Sequence, residues 1–232
     1  MASLASIRYN ILNLKSGGRE SDDDSLSRRQ TDYIIGYIRA LLIRRDFEKG
    51  HSINPDIIQD LGCIHLSPVD EADCCNVTVG CQILRSDKQL PKALELYDKN
   101  MITYVGTVDK RHAFDLIPVA RSRWVNFNKY SKGHRRAFIL NRYLYVINDK
   151  MLEYINVRGV FEDPIEAANF NHCDGTPCFS ENDQYPIALH MIQPLTSMVV
   201  AGEIKDTFVF PADTKNDSVS ENASLPTKGR PI

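Results

Sequence analysis

The sequence lacks the features of a membrane protein, a secreted protein or a general nucleic-acid binder. No stretch approaches the roughly 18 apolar residues that span a bilayer. Residues 1–18 carry neither a long apolar core nor a signal-peptide cleavage site. The 28 basic and 30 acidic residues give a formal net charge of −2, whereas a general nucleic-acid binder is expected to be basic overall. We therefore expect a protein that is made in the cytoplasm and has no membrane partner.

Catalytic and cofactor-binding motifs are also missing. The sequence contains no glycine-rich phosphate loop, no G-x-S-x-G nucleophile turn and no H-E-x-x-H zinc motif. The six histidines are scattered, and no two lie four positions apart. We therefore expect no catalytic residue, no metal ion and no cofactor. One weak alternative is a cysteine nucleophile near His172, at Cys173 or Cys178, which would need a lowered thiol pKa and a nearby base.

Six cysteines are present, but the chain shows no export signal and has enough apolar residues for a core. Disulfides are rare in the cytoplasm, so we expect reduced and buried thiols. Zinc sites usually need two close cysteine pairs, and the adjacent Cys74 and Cys75 do not form such a pair easily. The remaining cysteines are Cys63, Cys81, Cys173 and Cys178.

The two ends of the chain differ from its middle. Residues 1–24 combine the mixed stretch IRYNILNL, which suits either a strand or an arm, with two glycines and the acidic run ESDDD. Residues 206–232 are rich in Ser, Asn and Pro apart from the apolar FVF, and they indicate an extended tail. We therefore predict an N-terminal arm and acidic linker at 1–24, a single domain at 25–205 and an extended tail at 206–232.

The first long helix is predicted from Ser25 or Ser27 to Lys49, with Gly50 as its C-terminal cap. Its apolar side chains cover an arc of roughly 160°, which is wider than a coiled-coil seam. Such an arc indicates burial against more than one neighbour, in the same chain or in another. Arg45 falls inside the arc, and we expect its long side chain to reach the surface. The arc contains Ile34, Ile35, Tyr37, Ile38, Leu41 and Leu42.

A short second helix is predicted directly after this one. Asn54 and Pro55 are a typical N-cap and first helical residue, and the helix would end at Gly62. A DNA-reading helix-turn-helix needs a longer recognition helix with polar side chains toward the bases. The stretch PDIIQDL instead offers two aspartates, which phosphate would repel. The two helices are therefore more typical of assembly than of DNA reading.

The middle of the chain is typical of antiparallel strands. Short β-prone runs occur between residues 63 and 108, and AFILN and YLYVIN predict a hairpin that turns near Asn141-Arg142. EYINVRGVFE predicts a further strand. Asp163 and Pro164 then start a helix, and IALHMIQPLTSMVVAGE contains the last one. The predicted fold class is therefore α+β, with a long N-terminal helix, a short second helix, central antiparallel strands, C-terminal helices and extended terminal arms.

A basic and aromatic segment spans residues 121–136. Cations attract phosphate and aromatic rings stack on bases, so this composition suits single-stranded nucleic acid. It also suits a protein interface, and it suits best a solvated loop that is anchored by its aromatic rings. A nucleic-acid-binding module is therefore an alternative function. The basic residues of the segment are Arg121, Arg123, Lys129, Lys132, Arg135 and Arg136.

Three stretches carry a resemblance to a known family: IRALLIRRDFEKGHSINPDIIQDLGCI, YINVRGVFEDPIEAANF and PCFSENDQYPIALHMI. They resemble the head-to-tail connector, or ring, proteins that stack below the portal in crAss-like tailed phages of Bacteroides and their relatives. The resemblance spans about residues 30–205 and covers neither end of the chain.

The resemblance implies a non-enzymatic structural protein of the virion, made in the cytoplasm of the bacterial host. It implies a homo-oligomeric ring that matches the twelvefold symmetry of the portal, with the portal and neighbouring tail or ring proteins as partners. The genome would pass through a central channel and touch the ring transiently, without sequence specificity. Candidate contacts between chains are Tyr33, Tyr37 and Leu41 on the long helix, and Phe208 and Phe210 in the tail.

Overall fold

A computed structural model describes residues 2–15, 27–70, 82–96, 99–122, 124–125, 133–149 and 151–201. Helices and a mixed β-sheet confirm the predicted α+β class. The helices are α1 (Leu4–Lys15), α2 (Arg28–Glu48), α3 (Val119–Ser122) and α4 (Leu189–Ala201), with 3-10 turns at Pro55–Ile57 and Pro164–Asn169. The strands are β1 (Gln59–Asp60), β2 (Ile64–Asp70), β3 (Gln82–Ser86), β4 (Glu95–Leu96), β5 (Lys99–Asn100), β6 (Ile102–Gly106), β7 (Asp115–Leu116), β8 (Arg136–Leu140), β9 (Tyr143–Ile147) and β10 (Tyr154–Gly159).

Helix α2 begins and ends close to where its sequence predicts. The Gln30 backbone N–H donates to Ser27 Oγ (3.3 Å), and the Ser27 N–H donates to the Gln30 side chain (3.0 Å). This reciprocal capping box satisfies two backbone donors that the first helical turn leaves open. At the other end, Gly50 has φ of +82° and ends the helix, which confirms the predicted stop.

The predicted second helix is wrong beyond its first turn. Asn54 does cap it, because its side chain accepts from the Asp56 N–H (3.0 Å), but the turn is 3-10 and covers only Pro55–Ile57. The chain then extends into β1, which pairs antiparallel with β10. This pairing with a strand about 100 residues further along the chain overrides the local helical signal.

The start of the chain forms a helix rather than the strand or arm considered from its sequence. Leu4, Ile7 and Ile11 of α1 follow helical spacing and are buried. Their burial in the common core stabilises a helix whose local sequence is ambiguous. The guanidinium of Arg8 adds an ion pair to Asp32 of α2 (2.7 Å). Residues 16–24 of the predicted linker lie outside the described residues.

The sheet has the strand order β1-β10-β2-β3-β9-β8-β7, and β6 also pairs with β10. Among the described strands, the β7–β8 pair is parallel and the other pairs are antiparallel. The β8–β9 hairpin turns at Asn141 and Arg142, as predicted, with φ of 52° and 67° at these two positions. Positive φ at both central residues gives the turn a twist that matches the flanking strands.

One hydrophobic core joins the helices to the sheet. Ile34, Ile35 and Ile38 of α2 lie in it with Met191 and Leu195 of α4, the last predicted helix. The described part of the chain contains no helix long and apolar enough to cross a membrane.

Gly62 is a position where the fold needs a glycine. Its φ is +64°, and a Cβ there would meet the Asn171 carbonyl oxygen and lie 2.8 Å from the His172 Cα. We expect Gly62→Ala to lower the free energy of unfolding by about 2–3 kcal/mol, since both the conformation and the space exclude a side chain.

The matched control is Gly36→Ala in α2, where a Cβ would meet none of the described part of the chain within 4 Å. Alanine there should stabilise the helix by roughly 0.5–1 kcal/mol. Urea unfolding of the two variants measures both effects. Equal urea midpoints for Gly62→Ala and the wild-type chain would contradict this expectation. They would show that the turn at Gly62 can move away from the loop at Asn171 and His172 without loss of stability.

Candidate functional site

An open groove of about 700 Å³ runs along one side of α2. The α2 residues that line it recur at helical spacing and so share one face of the helix. The opposite wall contains Leu94 and Ile165, and Glu162, Asp163 and Glu181 lie along it. The α2 wall consists of Arg29, Asp32, Tyr33, Gly36, Tyr37, Ala40, Leu41 and Arg44.

The three α2 residues predicted to contact other chains all line this groove. Tyr33 is 63% exposed and Tyr37 is 51% exposed, while Leu41 is half-buried. The wide apolar arc of α2 is therefore divided between two environments. Its isoleucines pack into the core of the chain, and Tyr37 lies at the surface. Phe208 and Phe210, the predicted contacts in the tail, lie outside the described residues.

Ion pairs hold the polar rim of the groove. The guanidinium of Arg8 forms ion pairs with the carboxylates of Asp32 (2.7 Å) and Glu181 (2.5 Å). These pairs link α1 and α2 to the loop that precedes α4. Burial raises the pKa of Asp32, although the charge of Arg8 opposes that shift. On the other wall, Lys92 pairs with Glu162 (3.1 Å). The rim therefore has a defined shape before any partner binds.

The basic segment is only partly described, because Arg123, Lys129 and Lys132 lie outside the described residues. Arg121 is exposed on α3, and Trp124 is 67% exposed. Arg135 forms an ion pair with Asp149 (2.8 Å), and Arg136 donates to the Val125 carbonyl oxygen (3.2 Å). Arg135 and Arg136 therefore have structural contacts within the chain.

The expectation of reduced thiols is wrong for Cys63 and Cys173, which form a disulfide. The turn between β1 and β2 lies against the loop that contains Cys173, since the Cys63 N–H donates to the Asn171 carbonyl oxygen (3.0 Å). The two Cα atoms are 5.1 Å apart, a normal separation for a disulfide. The bond joins positions 110 residues apart in the sequence. Cys74, Cys75 and Cys81 lie outside the described residues.

The described residues do not support a cysteine nucleophile near His172. Cys173 is in the disulfide, and burial raises the pKa of the Cys178 thiol to about 12. A thiol with this pKa is protonated at neutral pH, whereas catalysis requires the thiolate. In the described ranges, no three His, Cys, Asp or Glu side chains are grouped so that they could hold a metal ion.

The chain matches the model of the crAss-like phage ring family described as phage tail ring protein 2, over residues 6–222. The chain belongs to this family. The match confirms the ring-protein resemblance and extends it from α1 to a point beyond α4. The chain is therefore a structural ring protein of a phage tail and a component of the virion. The comparison with curated proteins gave no match.

Arg39 connects α2 to three other segments of this ring protein, a role that was not predicted from the sequence. Its side chain is 0% exposed. It donates to the carbonyl oxygens of Pro186 (2.6 Å) and Phe161 (2.8 Å), and more weakly to Ile57 (3.4 Å). Burial lowers its pKa. The sequence signal for Arg39 is its position one helical turn after Ile35, which places it on the buried face of α2. Arg45, which falls inside the apolar arc, is exposed, as expected.

The contacts of Arg39 also position the groove. Phe161 directly precedes Glu162 and Asp163, which line the wall opposite α2. A fixed Phe161 carbonyl therefore fixes the distance between the two walls. The groove of this ring protein is a preformed surface, with apolar sides and a charged rim, and such surfaces suit protein partners.

Proposed function

We propose that this ring protein forms a closed ring of twelve copies in the head-to-tail connector, below the portal, and links the portal to the tail. In this role it is structural and catalyses no reaction. The observation that carries the proposal is the family match across residues 6–222, which makes the chain a phage tail ring protein. The twelvefold symmetry and the place below the portal are taken from the resemblance of the sequence to connector rings.

The exposed face of α2 supports an assembly role. Tyr33 and Tyr37 lie beside a preformed groove rather than in the core. Tyrosine is enriched in protein interfaces, because it buries a large area and loses little conformational entropy on binding. We therefore assign Tyr33, Tyr37 and Leu41 to contacts between neighbouring subunits.

The proposed contact with genomic DNA is transient and non-specific. A net charge of −2 favours passage of DNA through a central channel, because a strongly basic wall would hold the phosphates. The exposed Arg121 and Trp124 are the described side chains of the basic segment best placed to meet DNA or a neighbouring ring. Arg135 and Arg136 support the local fold through their contacts to Asp149 and Val125.

Native mass spectrometry of the protein alone, and of the protein mixed with the portal of the same phage, tests this function. We expect a closed ring in at least the mixed sample, with a subunit number that matches the portal. A monomer in the first sample alone is compatible with assembly on the portal. A monomer in both samples would contradict the connector role, and a ring that binds tail proteins but not the portal would place it elsewhere in the tail.

A further inference from the structure

We propose that the segment Thr207–Pro211 of one copy docks in the α2 groove of the neighbouring copy and joins adjacent subunits. This inference rests on the proposed ring, and it names the contact that closes the ring. The occupant is a second copy of this chain, which contributes a short apolar segment from the part that follows α4. The contact is heterologous, because the groove of one subunit receives the segment of the next, and such contacts generate rings.

Small residues line the groove at two places along α2. Gly36 and Ala40 lie one turn apart on the groove face, between the larger Tyr33, Tyr37 and Leu41. A Cβ at Gly36 would meet no atom of the described residues within 4 Å, so these residues leave the space beside it open. Residues four positions apart are separated by about 6 Å along a helix axis. The volume of about 700 Å³ lies within the range of sites that enclose ligands of several ring groups.

The segment Thr207–Pro211 matches this spacing. An extended chain places side chains i and i+2 on the same face, about 7 Å apart. In an extended segment the rings of Phe208 and Phe210 would therefore point the same way, at nearly the separation of the two small residues Gly36 and Ala40. Pro211 favours this geometry, because the residue before a proline is biased toward extended backbone.

The composition and position of the segment also favour it as the occupant. Residues 202–232 are mostly polar, and FVF is their one continuous apolar run of three with two aromatic rings. The family match reaches residue 222. The segment therefore lies within the region that the family covers, and is not an appendage beyond it.

The position of the groove favours a neighbouring copy over the same chain. Helix α4 packs on α2 through core residues such as Met191 and Leu195, and none of its described residues lines the groove. Residues 202–206 span at most about 20 Å when fully extended. A path around α2, whose diameter with side chains is about 10–12 Å, would consume most of that length. A segment from the next subunit has the same length limit, but it need not pass around this α2 helix to reach the groove.

The test uses two full-length variants that each remove one half of the contact. Gly36→Leu fills the groove, and Phe208→Ser combined with Phe210→Ser removes the segment's rings. Leucine is a better helix former than glycine, so Gly36→Leu is expected to fold, and circular dichroism with a melting curve checks this. Gly36→Ala is the matched control, because it changes the same position and leaves most of the groove open.

Native mass spectrometry is run under the condition in which the wild-type chain forms its ring. We expect the ring to be lost in both variants and kept in Gly36→Ala. A mixture of the two variants should give pairs with one copy of each, because the groove of the phenylalanine variant can accept the segment of the Gly36→Leu variant. No ring should form in this mixture. Each pair would be left with a filled groove on one copy and a segment without aromatic rings on the other, so it could not bind a further subunit.

Two outcomes would overturn the inference and leave the ring function standing. One is a ring at wild-type abundance in either variant. The other is the absence of pairs with one copy of each variant, although both variants are folded. This result would show that Thr207–Pro211 binds within its own chain or to another partner. Failure of the wild-type chain to form any ring, alone or on the portal, would instead contradict the proposed function itself.

Discussion

Replacing Arg39 with methionine is expected to lower the free energy of unfolding by about 3–5 kcal/mol. Methionine fills much of the same volume but donates no hydrogen bond. The carbonyl oxygens of Phe161, Pro186 and Ile57 would then lose the donor that serves them inside the protein. A buried polar group without a partner destabilises the folded state by about 1–3 kcal/mol. Urea unfolding monitored by circular dichroism measures the loss.

Arg45→Met is the control, because Arg45 lies on the same helix and is exposed. Substitution there should change the free energy of unfolding by no more than about 0.5 kcal/mol. Arg39→Lys should fall between the two, because a lysine ammonium cannot reproduce the fork of donors that a guanidinium offers. Equal stability of Arg39→Met and Arg45→Met would show that water or other groups satisfy the three carbonyls.

Breaking the disulfide between Cys63 and Cys173 should be the second large effect. The bond joins residues 110 positions apart and so restricts a long loop in the unfolded chain. Loop-closure entropy predicts a loss of about 3–5 kcal/mol on removal of a bond that closes a loop of this length. We expect this loss in Cys63→Ser, and in the wild-type chain after treatment with a reducing agent that breaks the bond. Unfolding in urea with and without the reducing agent measures it.

Cys178→Ser is the matched control for this experiment. Cys178 lies in the same loop region as Cys173 but is a free, half-buried thiol. This variant should keep the full sensitivity of the wild-type chain to the reducing agent, whereas Cys63→Ser should lose it. Oxidised and reduced wild-type chains of equal stability would show that the hydrogen bond between Cys63 and Asn171, with the packing around it, holds the two segments without the covalent bond.

The features predicted correctly from sequence depend on contacts within a few residues. Ser27 and Gln30 define the start of α2, and Asp163 caps the 3-10 turn that follows it, where its side chain accepts from the Ile165 N–H. Asn141 and Arg142 form the predicted hairpin turn. Each of these signals acts through backbone groups at most four positions away, so no tertiary information is needed to interpret it.

Only the α2 side of the candidate site could be predicted, because only that side has a local sequence signal. The apolar arc of α2 indicated that the helix meets more than one neighbour, and it included Tyr37 and Leu41 of the groove. It did not show which part of the arc faces the core, since an isoleucine and a tyrosine are both apolar on a helical wheel. The opposite wall, formed by residues such as Leu94 and Ile165, comes from distant parts of the chain and has no local signal.

The sequence by itself determined the α+β class, the ends of the long helix, the central hairpin and membership in a family of ring proteins. Tertiary structure alone decided the rest. Pairing with β10 converted the end of the predicted second helix into β1, packing made a helix of the first residues, and the fold brought Cys63 to Cys173. It also placed Arg39 against three carbonyl oxygens from separate segments. In each case the stabilising contact joins residues far apart in the chain, where spacing along the sequence carries no information.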